Sequence, residues 1–169
     1  MVTDTPTPEV PARRREFRPV ALAVSLISVA IVAGVGGAAS ADAASAYGRL
    51  QQPSWAPPSW VFGPVWGVLY VLMAIAAWRV WRADPRPGNR AITVYGVQLL
   101  LNLAWSPLFF AMEQRGWALV DIVLLDVLVI ATLLAFRSRD RLAAGLLVPY
   151  LAWILFATAL NYSVWSLNA

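Results

Sequence analysis

The chain has 169 residues, 60% of them hydrophobic and only 13% charged, with 13 basic and 9 acidic side chains and a formal net charge of +4. Soluble domains carry about 25% charged residues, so this composition excludes an ordinary soluble protein. There is no cysteine and no histidine, which removes disulfides, thiolate nucleophiles, zinc sites of the usual kinds and the commonest haem axial ligand.

The charges leave long gaps. Between Arg18 and Asp42 lie 23 uncharged residues, between Arg49 and Arg79 another 29, between Arg90 and Glu113 another 22, and 28 follow Arg141. About 20 apolar residues cross a bilayer, so each gap holds one helix. Trp117 to Phe136, apolar apart from Asp121 and Asp126, supplies a fifth. The expectation is an all-α membrane protein, a five-transmembrane-helix bundle with helices at about 20–41, 63–82, 91–112, 117–137 and 142–165. Every basic residue is arginine, and alternating the sides places eleven on one face of the membrane, leaving only Arg49 and Arg115 on the other. By the positive-inside rule the N-terminus is cytoplasmic and the C-terminus outside. The basic balance then records topology, and a nucleic-acid partner has no support from it.

Residues 1–18 are rich in proline, threonine and charge and have too little apolar surface to fold, so a disordered cytoplasmic N-terminus is expected before a membrane domain over 19–169. Arg13-Arg14-Arg15-Glu16-Phe17, the apolar run and Ala39-Ser40-Ala41 resemble a twin-arginine export signal with a cleavage site. The run exceeds the ~7–15 residues of a signal core. Its small residues Ala30, Gly34 and Ala38 recur every four positions, which suits a retained, closely packed helix.

The loop Leu50-Gln-Gln-Pro-Ser-Trp-Ala-Pro-Pro-Ser-Trp-Val-Phe-Gly-Pro-Val-Trp66 follows. Pro53, Pro57, Pro58 and Pro64 each fix φ and restrict the preceding residue, so this stretch is stiff and extended. It reads either as a cap over a site or as a membrane-interface loop with tryptophans at headgroup level. The second helix carries Trp66, Tyr70 and Met73 on one face, and Asp84-Pro-Arg-Pro-Gly88 marks a turn. On the third, Gln98, Asn102, Trp105 and Phe109 share a face, and amides in hydrocarbon need partners, so this face looks inward. Pro107 interrupts the hydrogen-bond ladder near its end.

Asp121 and Asp126 on the fourth helix are five residues apart and point roughly 140° from one another, which rules out a carboxylate pair for acid–base work. Each reads as a functional intramembrane acid or as a structural one at a helix contact. The fifth helix has Pro149 in its early turns and Trp153, Ala157, Leu160 and Asn161 on one face. Trp66, Tyr70, Asn102, Trp105, Ala157 and Asn161 fall in the same half of the membrane, so they converge on an aromatic cavity with a few amides beneath the loop. Interface anchoring accounts for Trp55, Trp60, Trp78, Trp81, Trp117 and Trp165. Trp66, Trp105 and Trp153 are left to bundle packing or to a flat aromatic ligand.

Four blocks carry a resemblance to a known family: Leu50-Gln-x-Pro-Ser-Trp-x-Pro-Pro-x-Trp-Val-Phe-Gly-Pro-Val-Trp-Gly-x-Leu-Tyr70, Asn102-x-Ala-Trp-x-Pro-x-Phe-Phe110, Gly116-Trp-Ala-Leu-Val-Asp121 and Pro149-Tyr-Leu-Ala-Trp-x-x-Phe-Ala-Thr-x-Leu-Asn-Tyr162. From about Leu22 to Asn168 the chain resembles the TspO/MBR family. The resemblance implies a five-helix bundle, often a homodimer, that binds porphyrins and, in some members, cholesterol and aromatic drugs, here in a bacterial cytoplasmic membrane. It implies a ligand pocket of Pro57, Phe62, Trp66, Tyr70, Asn102, Trp105, Trp153, Ala157 and Leu160, with no catalytic residue, no metal and no resident cofactor. Two departures stand out. The sterol pattern of animal members has a basic residue shortly after Tyr162, where this chain has none, and Asp126 stands where an uncharged residue is expected.

The leading expectation is a sensor or translocator for a porphyrin or other flat aromatic or lipidic ligand. A light-dependent porphyrin-degrading enzyme is implied by resemblance alone, since no nucleophile, base or metal set is legible. A structural or partner-binding membrane protein is the third reading.

Overall fold

The computed structural model describes residues 19–39, 43–86 and 88–168. The expected disorder of 1–18 and the cleavage site at Ala39-Ser-Ala41 fall outside what these residues can report. Among the described residues, seven α-helices run α1 (Pro19–Ala39), α2 (Ala43–Arg49), α3 (Phe62–Ala83), α4 (Arg90–Ser106), α5 (Arg115–Arg137), α6 (Arg141–Leu146) and α7 (Val148–Leu167). Five stretches are long and apolar enough to cross a membrane, with α6 and α7 together forming the last. The bundle is therefore an all-α, five-span membrane fold.

Its packing is a closed ring. α1 lies against α3 and α4, α4 against α5, α5 against α7, and α6 fills the space between α3 and α5. The outside is apolar: Val20, Ile27, Ile31, Val68, Leu100, Val123, Leu124, Val127 and Leu134 are exposed, the inverse of a soluble protein and what a hydrocarbon surround requires.

One stripe of α3 explains where the interior is solid and where it is hollow. Phe62, Trp66, Tyr70, Met73, Ala77 and Val80 recur at helical spacing along the inward face. In the half nearer Asp84, Met73, Ala74, Ala76, Ala77 and Val80 are all buried and close on Phe136, Ala143, Leu147, Tyr150 and Ile154. Alanines let the backbones approach there. In the half nearer the loop the same stripe turns to large rings beside Gly63 and Gly67, and the packing leaves a void.

At the solid end, Asp84 accepts from Arg86 Nε at 2.8 Å and from Arg139 Nη1 at 2.7 Å, and Asp140 pairs with Arg79 at 2.8 Å. The Arg86 side-chain hydrogen bond, with help from the Arg139 charge, holds the Asp84 carboxyl down at about 2. Burial pushes Asp140 up, but the Ala143 amide, the Arg79 guanidinium and the Leu142 amide outweigh it and leave this carboxyl below its usual range. Asp140 also caps α6 and Asn89 caps α4. Gly88 takes φ 72° in the intervening turn, where a Cβ would be strained.

Three local features differ from the sequence reading. The third span is not α-helical to residue 112: beyond Ser106 it widens into a π-turn, Pro107–Ala111, closed by Met112 N–H to the Pro107 carbonyl at 2.9 Å. Proline cannot donate and displaces the preceding turn, so the widened turn absorbs the missing bond. The last span breaks at Leu147, and Pro149 stands in the first turn of α7, where its missing N–H costs nothing. The loop is not wholly extended. It follows the short helix α2 and ends in a 3₁₀ turn at Ser59–Val61.

Candidate ligand site

A cavity of about 490 Å³ lies between α1, α3, α4, α5 and α7 at the loop end of the bundle. Its walls include Phe62, Trp66 and Tyr70 of α3 and its N-terminal turn, Asn102 and Trp105 of α4, and Trp153, Ala157 and Leu160 of α7. Those eight residues, drawn from three distant stretches of sequence, are brought to one surface. Pro57 is not: it is partly buried in the loop but does not line the cavity. Its part is to stiffen the segment that holds Phe62 in place.

The rings are mutually braced. Trp66 stacks on Tyr70 with centroids 5.2 Å apart, and Trp105 stacks on Phe109 at 5.1 Å. Phe62 meets Trp153 edge to face at 5.8 Å and Tyr47 at 5.7 Å. Such pairs each contribute ~0.5–1.5 kcal/mol beyond buried area, so the cavity wall holds its shape without a ligand. The loop is tied over it at two points. Trp55, expected only as an interface anchor, packs on Phe156 at 5.7 Å, and Phe156 in turn lies 5.4 Å from Trp153. Asn168 accepts from Gln51 N–H and donates to the Gln51 carbonyl, both at 2.9 Å.

The amides do something other than wait for a ligand. Tyr70 Oη donates to Asn102 Oδ1 at 3.1 Å, Asn102 Nδ2 donates to Tyr150 Oη at 3.0 Å, and Tyr150 donates to Gln98 Oε1 at 2.9 Å. This relay crosses from α3 to α4 to α7 and back. Trp105 Nε1 donates to Asn161 Oδ1 at 3.0 Å, and Asn161 Nδ2 donates to the Arg115 carbonyl at 3.0 Å. Both asparagines thus fix the orientation of aromatic wall residues. Gln98 Nε2, Trp153 Nε1 and Tyr47 Oη are buried without a hydrogen-bond partner among the described residues. Burial pushes the Tyr47 phenol upward, so it remains a neutral donor.

Sequence periodicity missed part of the wall. Ala33, Gly36 and Gly37 of α1 line the cavity, yet α1 is apolar apart from Ser25 and Ser28, whose hydroxyls bond to their own helix, and it carries no aromatic or amide marker beside the cavity. Tyr47 arrives on a seven-residue helix, too short to show a period. Ile122 and Leu125 of α5 complete the floor. Asp121 and Asp126 lie buried on opposite flanks of that inward strip and do not line the cavity. Asp126 accepts from Thr158 Oγ1 on α7 at 2.9 Å, a helix contact. No group of three or more metal-ligating side chains occurs among the described residues.

The sequence profile of the TspO/MBR family matches residues 22–166. The chain is 48% identical over 125 residues to the translocator protein of Homo sapiens, covering 72% of this chain and 74% of that one. It is 42% identical over 126 residues to the tryptophan-rich protein TspO of Chlorobaculum tepidum, covering 72% and 78%. It is 41% identical over 122 residues to the tryptophan-rich sensory protein of Cereibacter sphaeroides, covering 72% and 76%. With that match across most of its length and all five spans in place, this chain belongs to the TspO/MBR family of membrane proteins, whose relatives include named translocator and sensory proteins.

Proposed function

We propose that the cavity under the Pro/Trp loop binds a porphyrin or a similar flat aromatic molecule, and that the protein senses or translocates it in the membrane. The observation that carries this reading is the composition of the wall: Phe62, Trp66, Tyr70, Trp105 and Trp153 around one void. A flat macrocycle offers two broad π-faces, and stacked or edge-on rings are the surfaces that recognise them. The volume of about 490 Å³ falls within the ~300–1,000 Å³ of small-molecule sites.

Asn102 and Asn161 act through their neighbours, holding Tyr70 and Trp105 at the angle a planar ligand needs. Preorganised walls spare the ligand the cost of ordering them on binding. Among the described residues, Arg79, Arg82, Arg86, Arg90, Arg137, Arg139 and Arg141 gather at the solid end against Arg49 and Arg115 at the cavity end. This distribution supports a cavity that opens on the outer side of a bacterial cytoplasmic membrane. The protein is further taken to work as a homodimer, which crosslinking in intact membranes tests.

Absorbance titration of protoporphyrin into the detergent-purified protein decides the ligand class. Saturable binding at one site per chain with a shifted absorption band is expected, and linear uptake that tracks detergent volume would overturn the reading.

A further inference from the structure

A second concavity lies at the same end of the bundle but outside the cavity wall. It has a volume of about 450 Å³ and is lined by Glu113, Arg115, Trp117, Val120 and Trp165, among others. Arg115 is the first residue of the fourth span, so the pocket stands at the depth of the membrane interface. We infer that this pocket seats the headgroup of a zwitterionic phospholipid, with the phosphate on Arg115 and the ammonium between Glu113 and the indoles.

Charge and exposure lead to that assignment. The Arg115 side chain is only 20% exposed, its Nε is buried with no hydrogen-bond partner among the described residues, and the acid paired with it among those residues, Glu113, is 3.5 Å away with 69% of its side chain exposed. That separation is too long for a good hydrogen bond. With Nε buried, it is the two outer nitrogens of the guanidinium that remain to meet a phosphate, in a planar fork. Among the described residues the two formal charges that line the pocket cancel, so a ligand carrying one charge of each sign fits better than an anion. Trp117 and Trp165 are 66% and 39% exposed, and indole faces attract quaternary and primary ammonium groups. Gly116 makes room for this arrangement: a Cβ there would meet Trp165 Nε1 at 3.3 Å. Val120, Val123, Leu124 and Val127 continue along the exposed side of α5, a track for an acyl chain directly below the headgroup.

The pocket also touches the cavity wall indirectly. The Arg115 carbonyl receives Asn161 Nδ2, and Asn161 Oδ1 receives Trp105, so two hydrogen bonds separate the Arg115 backbone from a cavity indole.

Native mass spectrometry of the full chain, released from detergent with phosphatidylethanolamine and phosphatidylglycerol at equal concentration, tests the inference. The wild type should retain phosphatidylethanolamine in preference to phosphatidylglycerol. Trp117→Ala should weaken it about tenfold, and Glu113→Gln should shift the preference toward phosphatidylglycerol. Both altered side chains are exposed, so the fold survives either change and Arg115→Gln is needed only as a third variant. Equal retention of both lipids by the wild type, or variant profiles identical to it, would reduce the pocket to ordinary annular contact and overturn the inference. Displacement by tail-free glycerophosphoethanolamine as readily as by the lipid would also overturn it, in favour of a soluble zwitterion. No porphyrin enters this assay, so its outcome is independent of the cavity reading.

Discussion

Truncating Trp153 to alanine removes one cavity wall and separates ligand recognition from general hydrophobicity. The indole lines the cavity and is held by Phe62 at 5.8 Å and Phe156 at 5.4 Å. If about a quarter of the ~200 Å² that a tryptophan buries faces the ligand, its loss costs ~1.2 kcal/mol at ~25 cal/mol per Å². The ring-to-ring interaction adds ~0.5–1.5 kcal/mol. Together these make about 2 kcal/mol, or about thirtyfold in affinity. The assay is absorbance titration of protoporphyrin against wild type, Trp153→Ala and Trp81→Ala, since absorbance does not depend on the lost fluorophore. Trp81 sits near the other end of α3, away from the cavity wall, and its removal should leave affinity within about twofold. Equal losses in the two variants would refute a defined site and indicate partition into the apolar bundle.

The relay predicts non-additivity: Asn102→Leu should lower thermal stability in detergent by about 1–2 kcal/mol, and Tyr70→Phe should cost much less once Asn102 is gone, because its acceptor is already lost. Fully additive losses would mean that the 3.1 Å contact contributes nothing. For Asp84, the folded value of about 2 lies below the ordinary 3.8, so its contribution to stability is complete above about 3.8 and is lost as pH falls through about 2. Thermal unfolding should therefore find Asp84→Asn less stable than wild type at pH 7, with the gap closing toward pH 2; a gap independent of pH would contradict the ion-pair account. Because the chain has no native cysteine, topology can be read by labelling Ser54→Cys and Arg90→Cys, both exposed. Ser54→Cys should react in intact cells and Arg90→Cys only after permeabilisation, and the reverse would overturn the arginine-based orientation.

The five spans were legible because hydrophobic length in a membrane leaves few alternatives. The inward faces of α3, α4 and α7 were legible because a tryptophan or an asparagine marks them at helical spacing. What was not legible followed from physics that periodicity does not encode. α1 contributes glycine and alanine, which signal by what they lack. Asn102 and Asn161 were expected at the cavity and both line it, but periodicity did not show that a buried amide is satisfied by whatever protein donor is near, here Tyr70 and Trp105. Pro57 acts on the backbone of the loop, and its side chain stays off the cavity surface. The π-turn after Ser106 was hidden because the sequence shows that Pro107 breaks a bond and does not show how the chain repairs it.

If the void at the loop end is the ligand site, filling it with Ala157→Leu should block binding and spare the fold. Ala157 lines the cavity and is 8% exposed, so a larger apolar side chain there extends into the empty space and does not remove any contact between helices. Measuring protoporphyrin affinity and unliganded thermal stability on the same preparation predicts a clear split: binding falls by about tenfold or more, while the unfolding temperature of the apo protein stays at or above that of wild type. Wild-type affinity in a variant that remains folded would place the ligand elsewhere and contradict the account.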